Sequence, residues 1–146
     1  MTRATGHDSH RVPQETRGQL ITAAKEKLAS EYPELAGASG ACLYASHILA
    51  TVLHEHGQQP TLQAGSAYWR CATKDKTAVW RVGHAWEPFS LASRVAVKAG
   101  ALPEMHVWVG LAEHGEIVDL LPQQFVRLCE HMDLPWQAPL PPDYLW

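Results

Sequence analysis

The segment 37–57, with the sequence GASGACLYASHILATVLHEHG, decides the fold expected for this chain. Its small residues predict a loop, and the apolar spacing that follows predicts a helix over 42–56 that ends at Gly57. This helix is rich in apolar residues, so we expect it to be central and largely buried. Cys42 lies where the loop becomes the helix. The unpaired N–H groups and the dipole of a helix N-terminus favour a thiolate there, which makes Cys42 a candidate nucleophile.

The residues around this segment predict one further helix before it and two strands after it. Helical spacing over 14–30 places Leu20, Ile21, Ala24 and Leu28 on one face. After Pro60 the period changes to two, which predicts a strand over 62–71, a polar turn at 74–76 and a strand over 78–82. Segment 83–89 fits a strand end or a loop, and 91–99 fits a short helix or a loop.

The clearest strand pattern lies further along the chain. Segments 105–111 and 116–120 are β-rich and flank a glycine-containing turn at 112–115, which predicts a hairpin. A helix is predicted over 123–131, with Phe125, Val126 and Leu128 facing inward. The proline-rich tail 135–146 is expected to wrap the surface, held by Trp136, Tyr144 and Trp146. Helices followed by antiparallel strands indicate an α+β fold, with N-terminal helices packed on an antiparallel sheet.

Composition restricts the classes of function. The chain has 146 residues and a formal net charge of −3, which predicts one domain over 14–146 after a disordered polar leader, 1–13. It has no basic stripe and no apolar run of about 20 residues, so neither nucleic acid nor membrane is an expected partner. The leader has no signal-peptide core, which favours a cytoplasmic location, although an exported effector remains open. Three widely spaced cysteines, Cys42, Cys71 and Cys129, form neither a disulfide framework nor a zinc ribbon.

The predicted hairpin carries two side chains that a thiolate nucleophile requires. A nucleophile needs a base, and the base needs a group that orients it. His106 opens the first hairpin strand, and Asp119 lies near the end of the return strand. Centring the turn on positions 113 and 114 places 105–107 opposite 120–121, so imidazole and carboxylate can meet on one face. Packing of the helix start against this face would bring Cys42 to His106.

Three short motifs carry a resemblance to a known family. GACLYA at 40–45, MHVWV at 105–109 and EIVDL at 116–120 resemble the transglutaminase-like branch of the papain-like cysteine protease superfamily, over about 37–125. The resemblance implies a papain-like core, with Cys42 as nucleophile, His106 as general base and Asp119 as orienter. It implies a thiol-dependent hydrolase or acyltransferase that forms a covalent thioester. Its substrates would be proteins, peptides or small amides and thioesters, and the acceptor water or an amine.

The sequence departs from the family pattern near the nucleophile. The residue before the cysteine is Ala41, where the family often has a polar one, and Gln19 is too distant to be the upstream glutamine that donates to an oxyanion. The backbone N–H of Cys42 is therefore the expected first donor, with Tyr44 or Trp69 as the second. We also expect aromatic and imidazole side chains to form the walls of a substrate cleft, namely Tyr44, Trp69, His84 and Trp108.

Other interpretations of the same residues stay open. His84, near Trp80 and Trp86, is the second candidate for the base. The histidines at 47, 54 and 56, with Glu55, suggest a metal, but positions 47 and 54 lie two helical turns apart and no His-Glu-x-x-His motif occurs. We therefore expect neither metal nor cofactor. Taken singly, Cys42, His106 and Asp119 each also fit a structural role, so an inactive binding module on the same fold is the main alternative, ahead of a metal-dependent hydrolase.

Overall fold

Two N-terminal helices pack against each other, the second of them also packs against a three-stranded antiparallel sheet, and the last helix contacts a separate two-stranded sheet. The computed structural model describes residues 11–35, 41–72, 79–84, 90–100, 105–136 and 138–146. The helices within these ranges are α1 (Gln14–Glu31), α2 (Cys42–Glu55), α3 (Leu91–Lys98) and α4 (Gln124–His131). The strands are β1 (Thr61–Gly65), β2 (Ala67–Ala72), β3 (Val79–His84), β4 (His106–Leu111) and β5 (Glu116–Val118). The protein is therefore a mixed α+β fold.

The two N-terminal helices follow the predicted apolar spacing. The four residues predicted on one face of α1 are all buried. Helix α2 begins at Cys42 as predicted and ends at Glu55, after which Gly57 adopts the left-handed conformation (φ 77°) that closes a helix. Leu49 and Leu53 of α2 are fully buried, and truncating a buried leucine to alanine costs about 2–5 kcal/mol. Burial of these side chains therefore fixes α2 at the centre of the fold.

The segment after Pro60 departs from the prediction. The single strand expected over 62–71 is wrong, because β1 ends at Gly65 and β2 begins at Ala67 in a different sheet. Strand β1 pairs with β4, whereas β2 pairs with β3. The strand-like alternation of residues continues through Ser66. The sequence pattern therefore does not indicate that the chain passes from one sheet to the other at this residue. Gly65 lies so close to the Trp108 ring that a Cβ would stand 3.3 Å from it, and a larger residue would crowd the site of this change.

The β4–β5 hairpin has the predicted register. Val109 pairs with Val118 and Leu111 with Glu116, across a turn whose Gly115 has φ 64°. Strand β5 ends at Val118, two residues earlier than expected, because the backbone of Asp119 pairs instead with Leu145 of the tail. The tail is therefore hydrogen-bonded to the hairpin through the backbone of Asp119, the residue predicted to orient His106.

The remaining predictions have mixed outcomes. Segment 91–99 forms a helix, α3, and α4 buries Phe125 and Cys129, whereas Val126 and Leu128 are only half-buried. Part of the expected leader, 1–10, and the segments 74–76 and 85–89 lie outside the described residues. Val12 is buried in the main core, so ordered structure begins before the predicted boundary at residue 14. None of the helices in the described ranges has the length and hydropathy needed to cross a bilayer.

Candidate active site

Helix α2 is held against the beginning of β4. The Ser46 hydroxyl, one turn into the helix, donates to the backbone oxygen of Val107 at 2.9 Å. The Cys42 sulfur lies 3.9 Å from the backbone oxygen of Met105. Both contacts join the first turns of α2 to the residues that flank His106. The predicted approach of the helix start to the histidine therefore occurs through hydrogen bonds from the helix to this one strand.

His106 and Asp119 form a buried hydrogen-bonded pair. The Nε2 atom of His106 lies 2.7 Å from Oδ2 of Asp119, and the two residues are only 2% and 5% exposed. The other carboxylate oxygen, Oδ1, accepts the backbone N–H of Leu121 at 2.9 Å. A carboxylate with both oxygens engaged fixes the ring and places the imidazole proton on Nε2. The Nδ1 atom is thereby left to face a second partner.

The Cys42 thiol is coupled to the same imidazole. Burial is the largest single influence and would raise the pKa of Cys42, but the side-chain hydrogen bond with His106 is the largest of several opposing contacts that together leave the thiol pKa lowered. Backbone hydrogen bonds from Val107 and Leu43 and the positive charge of His106 add to this effect. These contacts favour a thiolate next to an imidazolium.

The same coupling acts on the histidine in the opposite direction. Burial would lower the pKa of His106, but hydrogen bonds to Asp119 and Cys42, together with their charges, raise it to about 9. An imidazole flanked by a carboxylate and a thiolate keeps its proton because both neighbours stabilise the cation. The cluster therefore favours the protonated imidazolium form of His106 next to an ionised Cys42 sulfur.

Aromatic rings surround the imidazole. The Phe125 ring meets it edge-on at 5.6 Å between centroids, and His84 stacks on it at 6.2 Å. Next to these rings lies a cavity of about 320 Å³, whose wall includes His106 and Asp119. Its other walls are mostly apolar and include Ala67, Tyr68, Trp69, Trp108, Ile117, Phe125 and Leu145. The pair thus borders a space suited to an apolar group.

The structure places the predicted cleft residues in different surroundings. Trp69 and Trp108 line the cavity, and His84 lies against the face of His106. Tyr44 is not among the residues that line this cavity, and its ring packs against Tyr32 at 5.2 Å between centroids. The sequence also predicted Trp80 and Trp86 near His84. The side chain of Trp80 and the whole of Trp86 lie outside the part of the chain that the structure describes. Tyr44 and Trp69, the expected second oxyanion donors, stay predictions.

One residue at the cluster was missed by the sequence prediction. The side-chain nitrogen of Gln124, the first residue of α4, lies within hydrogen-bond distance of His106 Nδ1 and 3.3 Å from Nε2. The resemblance directs attention to a glutamine upstream of Cys42, whereas this one follows Asp119. The available signal was Pro122, a residue type favoured where a helix begins, which lies two residues before Gln124.

The other histidines and cysteines are arranged differently. His56 bonds the backbone oxygen of Val52 through Nδ1 at 2.8 Å, a local contact within the end of α2. Across the described ranges, no three His, Cys, Asp or Glu side chains are grouped as a metal site requires. Cys129 is fully buried beside Phe125, and burial raises the pKa of its thiol. Cys42 and Cys129 therefore have pKa shifts of opposite sign.

No protein-family model, curated protein or solved structure matches this chain.

Proposed function

We propose that the protein is a cysteine-dependent acyl-transfer enzyme, a hydrolase or acyltransferase with a papain-like, transglutaminase-like core. Cys42 is its nucleophile, His106 its acid and base, and Asp119 its orienter. One observation carries the proposal: a single buried imidazole contacts a thiol of lowered pKa and a carboxylate whose second oxygen is held by the backbone. A nucleophile, a base and an orienter in mutual contact are the geometric requirement for nucleophilic acyl transfer.

The chemistry follows from the proton position. The Cys42 thiolate attacks the carbonyl carbon of an amide or thioester and forms a carbon–sulfur bond, while the carbonyl oxygen takes the negative charge. The His106 imidazolium then gives its Nδ1 proton to the leaving amine or thiolate as the old bond breaks. Water or an amine attacks the resulting thioester, His106 accepts its proton, and Cys42 leaves as thiolate. Asp119 stabilises the imidazolium through both half-reactions.

The cavity beside the imidazole supports a preference for apolar substrates. Its walls are mostly aromatic and aliphatic, and among the described residues that form them only His106 and Asp119 carry charge, and these two already bind each other. Pockets of this kind bury apolar ligand surface, and a few polar groups orient the ligand. We therefore propose amide or thioester substrates that place an apolar side chain next to the reacting carbonyl. A protein, a peptide or a small acyl compound meets this requirement.

Alkylation of the cysteines as a function of pH tests the proposal. We expect iodoacetamide to modify Cys42 well below the free-cysteine pKa of about 8.5, since the His106 contacts lower its pKa. Peptide mapping by mass spectrometry assigns each modified residue, and Cys129, whose pKa is raised, is the internal control. We also expect one equivalent of nitrophenolate to be released rapidly from p-nitrophenyl acetate by the parent protein but not by Cys42→Ala.

Two results would overturn the proposal. A Cys42 that alkylates only at alkaline pH and releases no nitrophenolate would identify an inactive binding module. Release of nitrophenolate by a folded Cys42→Ala variant, as fast as by the parent, would assign the reaction to a different group. The circular dichroism spectrum and unfolding temperature of the variant show whether its fold is retained.

A further inference from the structure

Leu145 of the proline-rich tail forms part of the cavity wall beside the His106–Asp119 pair. Its backbone N–H donates to the backbone oxygen of Asp119 at 2.8 Å, and its backbone oxygen accepts the Asp119 N–H at 3.0 Å. These two bonds place Leu145 next to the carboxylate that orients the imidazole, and neither of them involves its side chain. A substitution at this position therefore changes the cavity wall and keeps the backbone bonds to Asp119.

The residues on either side of Leu145 hold it in position. Tyr144 and Trp146 pack against the main core, whereas Leu145 between them lines the cavity. This alternation is typical of extended backbone, in which successive side chains point to opposite faces. Trp146 also donates from Nε1 to Glu116 at 2.9 Å. The Leu145 side chain is therefore held as a wall of the cavity by its neighbours in the chain.

The aromatic walls of the cavity are fixed by contacts of their own. The Trp108 indole N–H donates to the side-chain oxygen of Gln63 at 2.7 Å, and a Cβ at Gly65 would stand 3.3 Å from the Trp108 ring. Phe125 is 3% exposed and packs with Trp69 in the second core cluster. Because these contacts hold the rings in place, the aliphatic side chains determine how much space remains between them.

Three aliphatic residues complete the wall, namely Ala67, Ile117 and Leu145. Ala67 is small, and Ile117 is 55% exposed, so much of its side chain faces solvent. Leu145 is half-buried and carries an isobutyl group, so it restricts the cavity most among the three. The volume of about 320 Å³ is near the lower end of the range for ligand pockets. In so small a cavity, one isobutyl group has a large effect on the size of the group that fits.

We propose that Leu145 is a specificity-determining residue that limits the size of the apolar group a substrate carries beside its reacting carbonyl, an inference that rests on the function proposed above. A group that extends as far as Leu145 leaves water and gains binding energy, whereas a longer group collides with the isobutyl side chain. One methylene in an apolar pocket changes kcat/KM by about 10–200-fold. A single wall residue is therefore enough to select among acyl groups or leaving groups of different length.

Two substrate series of increasing length test this role. The p-nitrophenyl esters of acetate, butyrate and hexanoate vary the acyl group, and S-ethyl, S-butyl and S-hexyl thioacetate vary the leaving group. The measured quantity is the ratio of kcat/KM for the longest substrate of a series to that for the shortest. In the series whose variable group enters the cavity, we expect Leu145→Ala to raise this ratio by at least about 10-fold and Leu145→Trp to lower it by a similar factor. Because both substrates are measured on one preparation, a partial loss of folded protein cancels from the ratio.

Leu140→Ala is the matched control for this experiment. It makes the same change in the same tail, at a side chain that is 71% exposed and is not among the cavity walls, so its ratios should equal those of the parent in both series. Ratios that stay at the parent value in both Leu145 variants, or that move in the same direction in both, would overturn the inference and leave the proposed function in place. A parent protein that no substrate of either series acylates would instead refute the proposed function, and the role of Leu145 with it.

Discussion

Two carboxylates of the hairpin, Glu116 and Asp119, lie three residues apart, and their side chains bind different kinds of hydrogen-bond donor. Glu116, at the start of β5, accepts from Arg17 Nη2 and Trp146 Nε1, both at 2.9 Å, and lies 3.5 Å from Arg11 Nε. Asp119, just past the end of β5, accepts from His106 and from the backbone of Leu121. Each carboxylate is well supplied with donors, so hydrogen bonding alone does not separate a structural acid from a functional one.

The difference lies in what the partner can do next. Arg17 is permanently charged, and its guanidinium also lies 5.0 Å from the centre of the Trp146 ring, so the Glu116 cluster joins α1 to the tail. His106 is titratable and has a second ring nitrogen that faces a thiol and an amide. A carboxylate is therefore structural when its partner does not exchange a proton, as with Glu116 and Arg17. It belongs to a proton path when its partner can pass a proton to a further group, as with Asp119 and His106.

Asp119→Asn is the substitution expected to affect that path most. An asparagine that presents its NH₂ to Nε2 stabilises the wrong imidazole tautomer and removes the charge that holds the imidazolium. We expect acylation by p-nitrophenyl acetate to fall by about 10³-fold or more, and the pH profile of Cys42 alkylation to move to higher pH. Glu116→Gln is the matched control, and its acylation rate should equal that of the parent.

The opposite result would break the comparison. If Glu116→Gln lost as much acylation as Asp119→Asn, the two carboxylates would belong to one network. If neither variant lost acylation, Asp119 would be a structural acid like Glu116.

The shared proton gives a second, smaller effect. Between about pH 6.5 and 9 the His106 imidazole is protonated in the folded protein and neutral in the unfolded chain, whereas the Cys42 thiol, whose pKa is lowered, gives up its proton more readily in the folded protein. The raised pKa of His106 loses stability as pH rises through this window, and the lowered pKa of Cys42 gains it. The two contributions have opposite signs, so we expect the unfolding free energy to change less there than the raised pKa of His106 alone would give.

Replacing the cysteine isolates the histidine. In Cys42→Ala the thiolate that helps to raise the pKa of His106 is gone, so NMR titration of the His106 ring should give a pKa below the parent value of about 9. An unchanged His106 pKa would mean that the thiol and the imidazole do not interact.

The sequence predicts the parts of this fold that depend on local spacing. The buried face of α1, the start of α2 at Cys42 and the register of the hairpin follow from helical period and turn position, and each is confirmed. The hairpin register also explains how Asp119 comes close to His106. The two residues are diagonal neighbours on adjacent halves of the hairpin, and side chains in such positions lie within reach of each other.

Non-local partners account for what the sequence did not predict. The alternation over 62–71 runs unbroken through Ser66, and only the pairing of β1 with β4 and of β2 with β3 divides it. The bond of Asp119 to Leu145 comes from a tail with no strand pattern. The Gln124 side chain contacts the His106 imidazole because α4 begins shortly after Asp119 in the chain. No sequence motif indicates this placement.

Glu116→Gln is expected to have the smallest effect, and only on stability. Burial would raise the pKa of Glu116, but the Trp146 hydrogen bond and the charges of Arg17 and Arg11 lower it overall. The bonded side chains of Arg17 and Glu116 are 19% and 14% exposed, so partial solvent screening limits the loss to about 1–2 kcal/mol at neutral pH. A loss of 1 kcal/mol corresponds to about 2–4 °C in the unfolding temperature of a domain of this size.

The pH dependence of this loss shows whether the charge of Glu116 is responsible. A carboxyl with a lowered folded pKa stabilises the protein above its unfolded value of about 4.5, and the contribution disappears as pH falls through the folded pKa. The difference in unfolding temperature between parent and Glu116→Gln should therefore shrink when thermal unfolding is followed from neutral pH down to the acid limit of folding. A difference that stays constant would show that shape, and not charge, holds the tail to α1.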